Sequence, residues 1–154
     1  MKRLLLVTAA VAGLAASLPA AAQFQKPEDA VKYRQSAMYV MANHFGRIGA
    51  MVNGRAPYDA AAAAANAEIV ATMSRLPFIG FVEGTAGTQK GSAAAKIWTS
   101  RSGFDNDAKA MQDAVAKLVA ASKTNSLDNL KTAFGDVGKA CKACKACHDE
   151  YRNP

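Results

Sequence analysis

From Leu127 to Tyr151 the chain carries an uninterrupted side-chain rhythm. Leu127, Leu130, Phe134, Val137, Cys141, Cys144, His148 and Tyr151 follow one another at intervals of 3, 4, 3, 4, 3, 4 and 3. At 3.6 residues per turn such a series occupies one side of a helix, and this alternation is the seam of a helix bundle. It predicts a long C-terminal helix that buries one face against other helices, with Ser126 as its N-cap. Ala, Lys, Met and Leu dominate elsewhere, and alternating β-branched runs are scarce, so helix is expected throughout.

Three further long helices are expected upstream. The first opens at Pro27-Glu28-Asp29, where proline suits the first helical position and acids the first turn. Its stripe reads Val31, Met38, Met41, Phe45, Ile48 and Val52, and Asn53-Gly54 ends it. The second starts after Asp59, a good N-cap. It runs through an alanine tract to Leu76, with Ile69, Met73 and Leu76 inward, and Pro77 stops it. The third spans about residues 104–122, with Phe104, Met111, Val115 and Leu118 inward. Residues 77–92 hold four glycines and one proline and are expected to form a loop. That loop also carries Phe78, Ile79, Phe81 and Val82, so it is expected to cover something buried. A short turn over residues 93–99 presents Trp98. Short connections elsewhere predict an all-α, antiparallel four-helix bundle.

The N-terminus has another purpose. Lys2-Arg3, an apolar run over residues 4–18, Pro19 and Ala20-Ala21-Ala22 make a secretory signal with cleavage expected after Ala22. The run is shorter than the ~20 residues a membrane span needs, and no later segment comes close. No membrane insertion is expected after cleavage. Residues 23–154 then form one domain with one core. The leader takes Lys2 and Arg3 with it, leaving 17 basic residues against 12 acidic ones, a net charge of +5. These charges are scattered, without the aromatic-basic patch that tracks a nucleic-acid strand, so nucleic acid is excluded as a partner. A diffuse positive face would steer an acidic redox partner, although a solvated helical surface accounts for it more simply.

The chemistry lies in Cys144-Lys145-Ala146-Cys147-His148. Thiols three residues apart on a helix share a side and can add to the two vinyl groups on one edge of a haem. A histidine directly after the second thiol then coordinates the iron. Covalent haem c, with His148 as metal ligand and Cys144 and Cys147 as attachment points, is the leading reading in a secreted chain. A thioredoxin-like redox pair would need a βαβ setting. A disulfide between residues three apart in a helix has diverging side-chain vectors. A secreted zinc-binding helical protein using Cys141, Cys144, Cys147 and His148 stays open as the alternative of another class, but those four residues lie along one side of one helix, whereas tetrahedral zinc is wrapped from two segments.

The flanks are more specific. Gly138-Lys139-Ala140 before the cysteines and His148-Asp149-Glu150-Tyr151-Arg152 after them resemble the C-terminal end of the cytochrome c′ family. So do the opening Phe24-Gln25-Lys26-Pro27-Glu28-Asp29-Ala30-Val31-Lys32-Tyr33-Arg34-Gln35-Ser36-Ala37 and the central Leu76-Pro77-Phe78 with Phe81. The resemblance spans essentially all of residues 23–154. It implies a four-helix bundle with haem near the C-terminus, His148 as the only protein ligand, and an open axial position covered by an apolar side chain of the first helix, where Met38 aligns. It places Arg34 and Gln35 near the haem propionates, Arg152 beside the proximal face, and Phe78 and Phe81 as pocket walls with Trp98 nearby. It also raises a homodimer paired through the first two helices, which the alanine-rich second helix would let approach closely. Simple alternatives stand beside each role: core packing for Met38, Phe78, Phe81 and Trp98, surface charge for Arg34 and Arg152. His44, the only other histidine, reads as structural or exposed.

The resemblance breaks at one point. Cys141-Lys142-Ala143-Cys144-Lys145-Ala146-Cys147-His148 holds a duplicated Lys-Ala-Cys, which leaves Cys141 over. Three extra helical residues add ~4.5 Å and a net slip of about 60°, as a stammer does. Phe134, Val137 and Gly138 are therefore expected to meet the bundle in a shifted register. Cys141 is expected to be a buried inert thiol before it is a competitor for haem or a source of intermolecular disulfide.

The function that follows is not enzymatic. It is a periplasmic protein whose five-coordinate, high-spin haem binds NO and CO and transfers single electrons. The alternative within the class is a six-coordinate, low-spin electron carrier with Met38 as second axial ligand. A peroxidase is disfavoured, because no distal His-Arg pair is present.

Overall fold

The computed structural model describes residues 23–89 and 92–153, and for residues 141–150 it describes the backbone alone. The expected signal, residues 1–22, lies outside the described residues. In chain order the elements are α1 (Pro27–Val52), α2 (Ala60–Met73), a 3-10 turn (Leu76–Gly80), the short α3 (Lys96–Thr99), α4 (Arg101–Ser122) and α5 (Leu127–Tyr151). Among the described residues there is no strand, and Ala93 and Arg152 form an isolated antiparallel bridge. The four long helices make the expected bundle: α1 packs chiefly on α2 and α4 on α5, while α2–α4 and α1–α5 contacts close it.

Local signals explain most boundaries. Pro27 stands at the start of α1 with Glu28 and Asp29 in its first turn, and Gly54 takes a φ of +69° just past its end. Asp59 caps α2 by accepting from Ala62 N at 2.9 Å. Ser126 caps α5 by accepting from Asn129 N at 3.2 Å. Two boundaries differ from expectation. The second helix ends at Met73 rather than at Leu76, with Ser74 as its C-cap; Leu76 and Pro77 already belong to the 3-10 turn, since proline suits a first turn as well as it ends a helix. The third long helix begins at Arg101, three residues earlier than the stripe marked it.

The main core joins Ile48, Met51 and Val52 of α1 to Ala63, Ala67 and Val70 of α2, with Val115 and Leu118 of α4 and Leu130 and Val137 of α5. Here α2 corrects its expected face. Ala63, Ala67 and Val70 are buried, whereas Ile69, Met73 and Leu76 are only half-buried. The small side chains are the contact surface, which lets α2 lie close against its neighbours. On α1 the ring of Phe45 stacks on Phe134 of α5 at 4.3 Å between centroids. Gly49 makes room for it, since a Cβ there would lie 3.1 Å from the Phe134 ring. Despite the duplicated triplet, α5 runs unbroken from Leu127 to Tyr151. Leu130, Val137 and Tyr151 are buried and Phe134 half-buried, so the seam holds wherever side chains are described.

A glycine fixes how the 3-10 turn meets α1. A Cβ at Gly80 would lie 2.8 Å from Ala30 O and 3.1 Å from Arg34 Cβ. The first of these is backbone and cannot swing away. Gly80→Ala is therefore expected to cost about 1–3 kcal/mol, as overpacking does, read as a lower denaturant midpoint. An unchanged midpoint would show that the turn moves aside freely.

Candidate haem site

The N-terminal half of α1 departs from a simple core stripe. Its buried residues are Ala30, Arg34 and Ala37, while Met38 is 37% exposed and Val31 and Met41 are half-buried. The reason is a cavity of about 710 Å³ between this stretch of α1, the 3-10 turn and its following loop, α4, and the end of α5. Val31 and Met38 line the cavity, and Met41 lines it while also packing against the main core. A volume of this size is in the range of cofactor pockets.

Six residues singled out from the sequence line this one cavity: Arg34, Gln35, Met38, Phe78, Phe81 and Arg152. One wall is aromatic. Phe81 meets Phe104 edge-on at 4.8 Å, Phe104 meets Tyr151 edge-on at 5.6 Å, and Phe78 tilts against Phe104 at 5.6 Å. Trp98 packs against this cluster without lining the cavity, and its indole N–H is buried with no hydrogen-bond partner among the described residues. His44 stands elsewhere. Its Nδ1 pairs with Asn66 Oδ1 at 2.7 Å across α1 and α2, the structural one of the two roles expected of it.

Arg34 is not a surface charge. It is 5% exposed, and burial lowers its pKa from the ordinary arginine value. Nη1 donates to Gly80 O at 3.0 Å and to Thr85 Oγ1 at 2.6 Å, and Nη2 donates to Thr85 O at 2.7 Å. The guanidinium also lies 4.7 Å over the Phe81 ring. Thr85 in turn donates to Val82 O at 2.7 Å, and Gly84 before it has a φ of +77° that admits the turn. Arg34 thus pins the loop that walls the cavity. Among the described residues, none of its hydrogen-bond acceptors is a carboxylate. A buried cation on a cavity wall calls for a negative partner, and a ligand with carboxylates at its edge fits. Thr85 and Gly80 were not legible as site residues; only the glycines around them marked the turn.

The proposed attachment points and iron ligand, Cys144, Cys147 and His148, stand on the last two turns of α5. His148 is three residues before Tyr151, which lines the cavity. Arg152 follows directly and lines it as well. A large, mostly apolar cavity bounded by this helix end, an aromatic wall and a buried cation suits a haem.

The family model described as Cytochrome C′ matches residues 29–152. The chain belongs to the cytochrome c′ family. A cytochrome c′ of Alcaligenes xylosoxydans xylosoxydans is 52% identical over 130 residues, 84% of this chain and 98% of that protein. The crystal structure of cytochrome c′ from Rubrivivax gelatinosus is 45% identical, covers 85% of this chain and all of its own, and superposes with a TM-score of 0.77. A leucine-to-isoleucine variant of cytochrome c prime from Alcaligenes xylosoxidans, solved as a nitric oxide complex, is 50% identical, covers 86% of this chain and all of its own, and has a TM-score of 0.77. Cytochrome c′ proteins carry covalent haem c with iron, and zinc loses its basis as the reading of the cysteine-histidine run.

Proposed function

We propose that the protein is a periplasmic cytochrome c′ whose five-coordinate haem binds NO and CO and passes single electrons. The observation that carries this is the α1 wall of the cavity. It presents the apolar Val31, Met38, Met41 and Ala42 beside Glu28, Arg34, Gln35 and Tyr39, and no histidine among the described residues lines the cavity. The haem supplies an iron that takes up one diatomic ligand or one electron. His148 of α5 would hold it, Cys144 and Cys147 would anchor it, and Val31, Met38, Met41 and Ala42 of α1 would limit the access of water. The propionates, placed against Arg34 and Gln35, would bring the net charge of residues 23–154 to about +3. The nitric oxide complex of the related Alcaligenes protein supports a gas as ligand.

Export rests on residues 1–22. No helix among the described residues is long and apolar enough to cross a membrane. Association through α1 and α2 belongs to the same reading: Tyr39 of α1 is 72% exposed, and the exposed residues of α2 are Ala61, Ala65, Glu68 and Thr72.

Met38 decides between the two haem types, because its thioether stands on the cavity wall. The ferrous absorption spectrum with and without CO tests this. Five-coordinate iron gives a broad α/β envelope and a large Soret change on adding CO. A sharp, split α/β pattern that CO leaves unmoved would show a sixth ligand and sink the gas-binding reading, and its loss in Met38→Leu would identify that ligand as Met38.

A further inference from the structure

Arg152 lies one residue beyond α5. Two backbone hydrogen bonds flank it: Ala94 N donates to Tyr151 O at 2.8 Å, and Asn153 N donates to Ser92 O at 2.9 Å. These make the isolated bridge between Ala93 and Arg152. The side chain of Asn153 then fastens the bridge to the rest of the loop. Its Nδ2 donates to Gly87 O at 2.5 Å and to Ser92 Oγ at 2.8 Å. Ser92 Oγ donates onward to Gln89 O at 2.5 Å, and Gly87 N donates to Ala93 O at 3.0 Å. Gly87 sits tightly here, since a Cβ on it would lie 2.5 Å from Ser92 Cβ. Gly87, Ser92, Ala93 and Arg152 all line the cavity. One amide side chain therefore ties together the cavity-lining loop and the residue that follows the haem-bearing helix.

We propose that Asn153 is a positioning residue of the haem site, fixing the backbone of Arg152 and so the distance of its guanidinium from the iron. This rests on the haem reading above, with Arg152 on the proximal side. A segment past the end of a helix keeps its place through the contacts its backbone makes. The field of a charge falls with distance, so a cation on a loosened segment acts on the iron less than one held beside it. A nearby cation favours ferrous over ferric iron, which carries one more positive charge. Asn153 thus holds the reduction potential up through Arg152.

The test uses the haem-loaded protein and optical redox titration of Asn153→Ala, Asn153→Leu, Arg152→Ala and the Arg152→Ala/Asn153→Ala double variant. Asn153→Leu nearly keeps the size of the side chain, adds no charge and removes its two donor hydrogens, so it serves if the alanine variant folds poorly. Each Asn153 variant is expected to shift the one-electron equilibrium about threefold toward ferric, about 28 mV at 59 mV per tenfold. Arg152→Ala is expected to shift it further in the same direction, and the double variant to match Arg152→Ala alone, the non-additivity expected of coupled residues. Amide exchange at Ala94 and Asn153 is expected to quicken in the Asn153 variants. Faster exchange with an unmoved potential would overturn the proposal, as would a full Asn153 shift in the Arg152→Ala background. A wild-type chain without covalent haem would instead overturn the haem reading, and that is seen before any variant is made.

Discussion

A chain with Cys144 and Cys147 both replaced by serine is expected to lose its haem completely on denaturation, while Cys141→Ser keeps it. Helix geometry sets the difference. Successive thiols in this run are three residues apart, so each neighbouring pair is related by ~4.5 Å of rise and ~60° of turn. Either pair can reach two vinyl groups on one edge of a haem. What separates them is the histidine. With Cys144 and Cys147 bonded, His148 is the next residue. With Cys141 and Cys144 bonded, it would stand four residues past the second thiol, another ~4.5 Å along the axis, and the iron would lie out of its reach. Whole-protein mass spectrometry after thiol alkylation reads the result. The wild-type chain should show one haem and one alkylated thiol, and Cys141→Ser one haem and none. Haem retained by the double serine variant would move the attachment to Cys141. Without haem, the aromatic wall and Arg34 would border an empty apolar cavity, so the double variant is also expected to melt well below the wild type.

The bundle was legible because its signals are local. Pro27, Asp59, Ser126 and the 3-4 stripes each act within a few residues, and the helices begin and end close to where these stand. The cavity was legible only in part, because a cavity reverses the meaning of an apolar stripe. Val31 and Met38 keep the spacing of core residues yet line a cavity, and no periodicity distinguishes the two. The alanine tract misled in the opposite sense. Large residues such as Ile69 and Met73 read as the buried face, but close helix approach is made by small ones, Ala63 and Ala67. The family resemblance gathered Arg34, Gln35, Met38, Phe78, Phe81 and Arg152 around one space without showing what holds them there. The partners that do so, Thr85 for Arg34 and Asn153 for the Arg152 backbone, are far off in sequence, and single polar residues in a loop or at a terminus carry no pattern to announce them.

Replacing Arg34 is expected to have the second large effect, on the stability of the haem-loaded protein. Arg34→Met keeps much of the apolar stem but removes a guanidinium that donates three hydrogen bonds to two segments of one loop. Two backbone carbonyls, those of Gly80 and Thr85, would lose that donor, and leaving buried acceptors unpaired costs about 1–3 kcal/mol. The contact of the cation with the Phe81 ring, 4.7 Å away, is lost as well. A total of about 2–4 kcal/mol, in the range found on breaking charged buried networks, should appear as a lower urea midpoint with an unchanged slope. Arg34→Lys discriminates the cause. Lysine keeps the positive charge near the proposed propionates but cannot span Gly80 O, Thr85 O and Thr85 Oγ1 with a planar fork. If the hydrogen bonds dominate, Arg34→Lys loses most of the stability that Arg34→Met loses, and the loop amide of Thr85 exchanges faster in both. If the charge toward the haem dominates, Arg34→Lys stays near wild type while Arg34→Met lowers both the midpoint and the reduction potential. The geometry favours the first outcome, because every donor contact described for Arg34 reaches into the 3-10 turn and loop rather than into the cavity, and the cation acts on the haem from behind a wall that it builds.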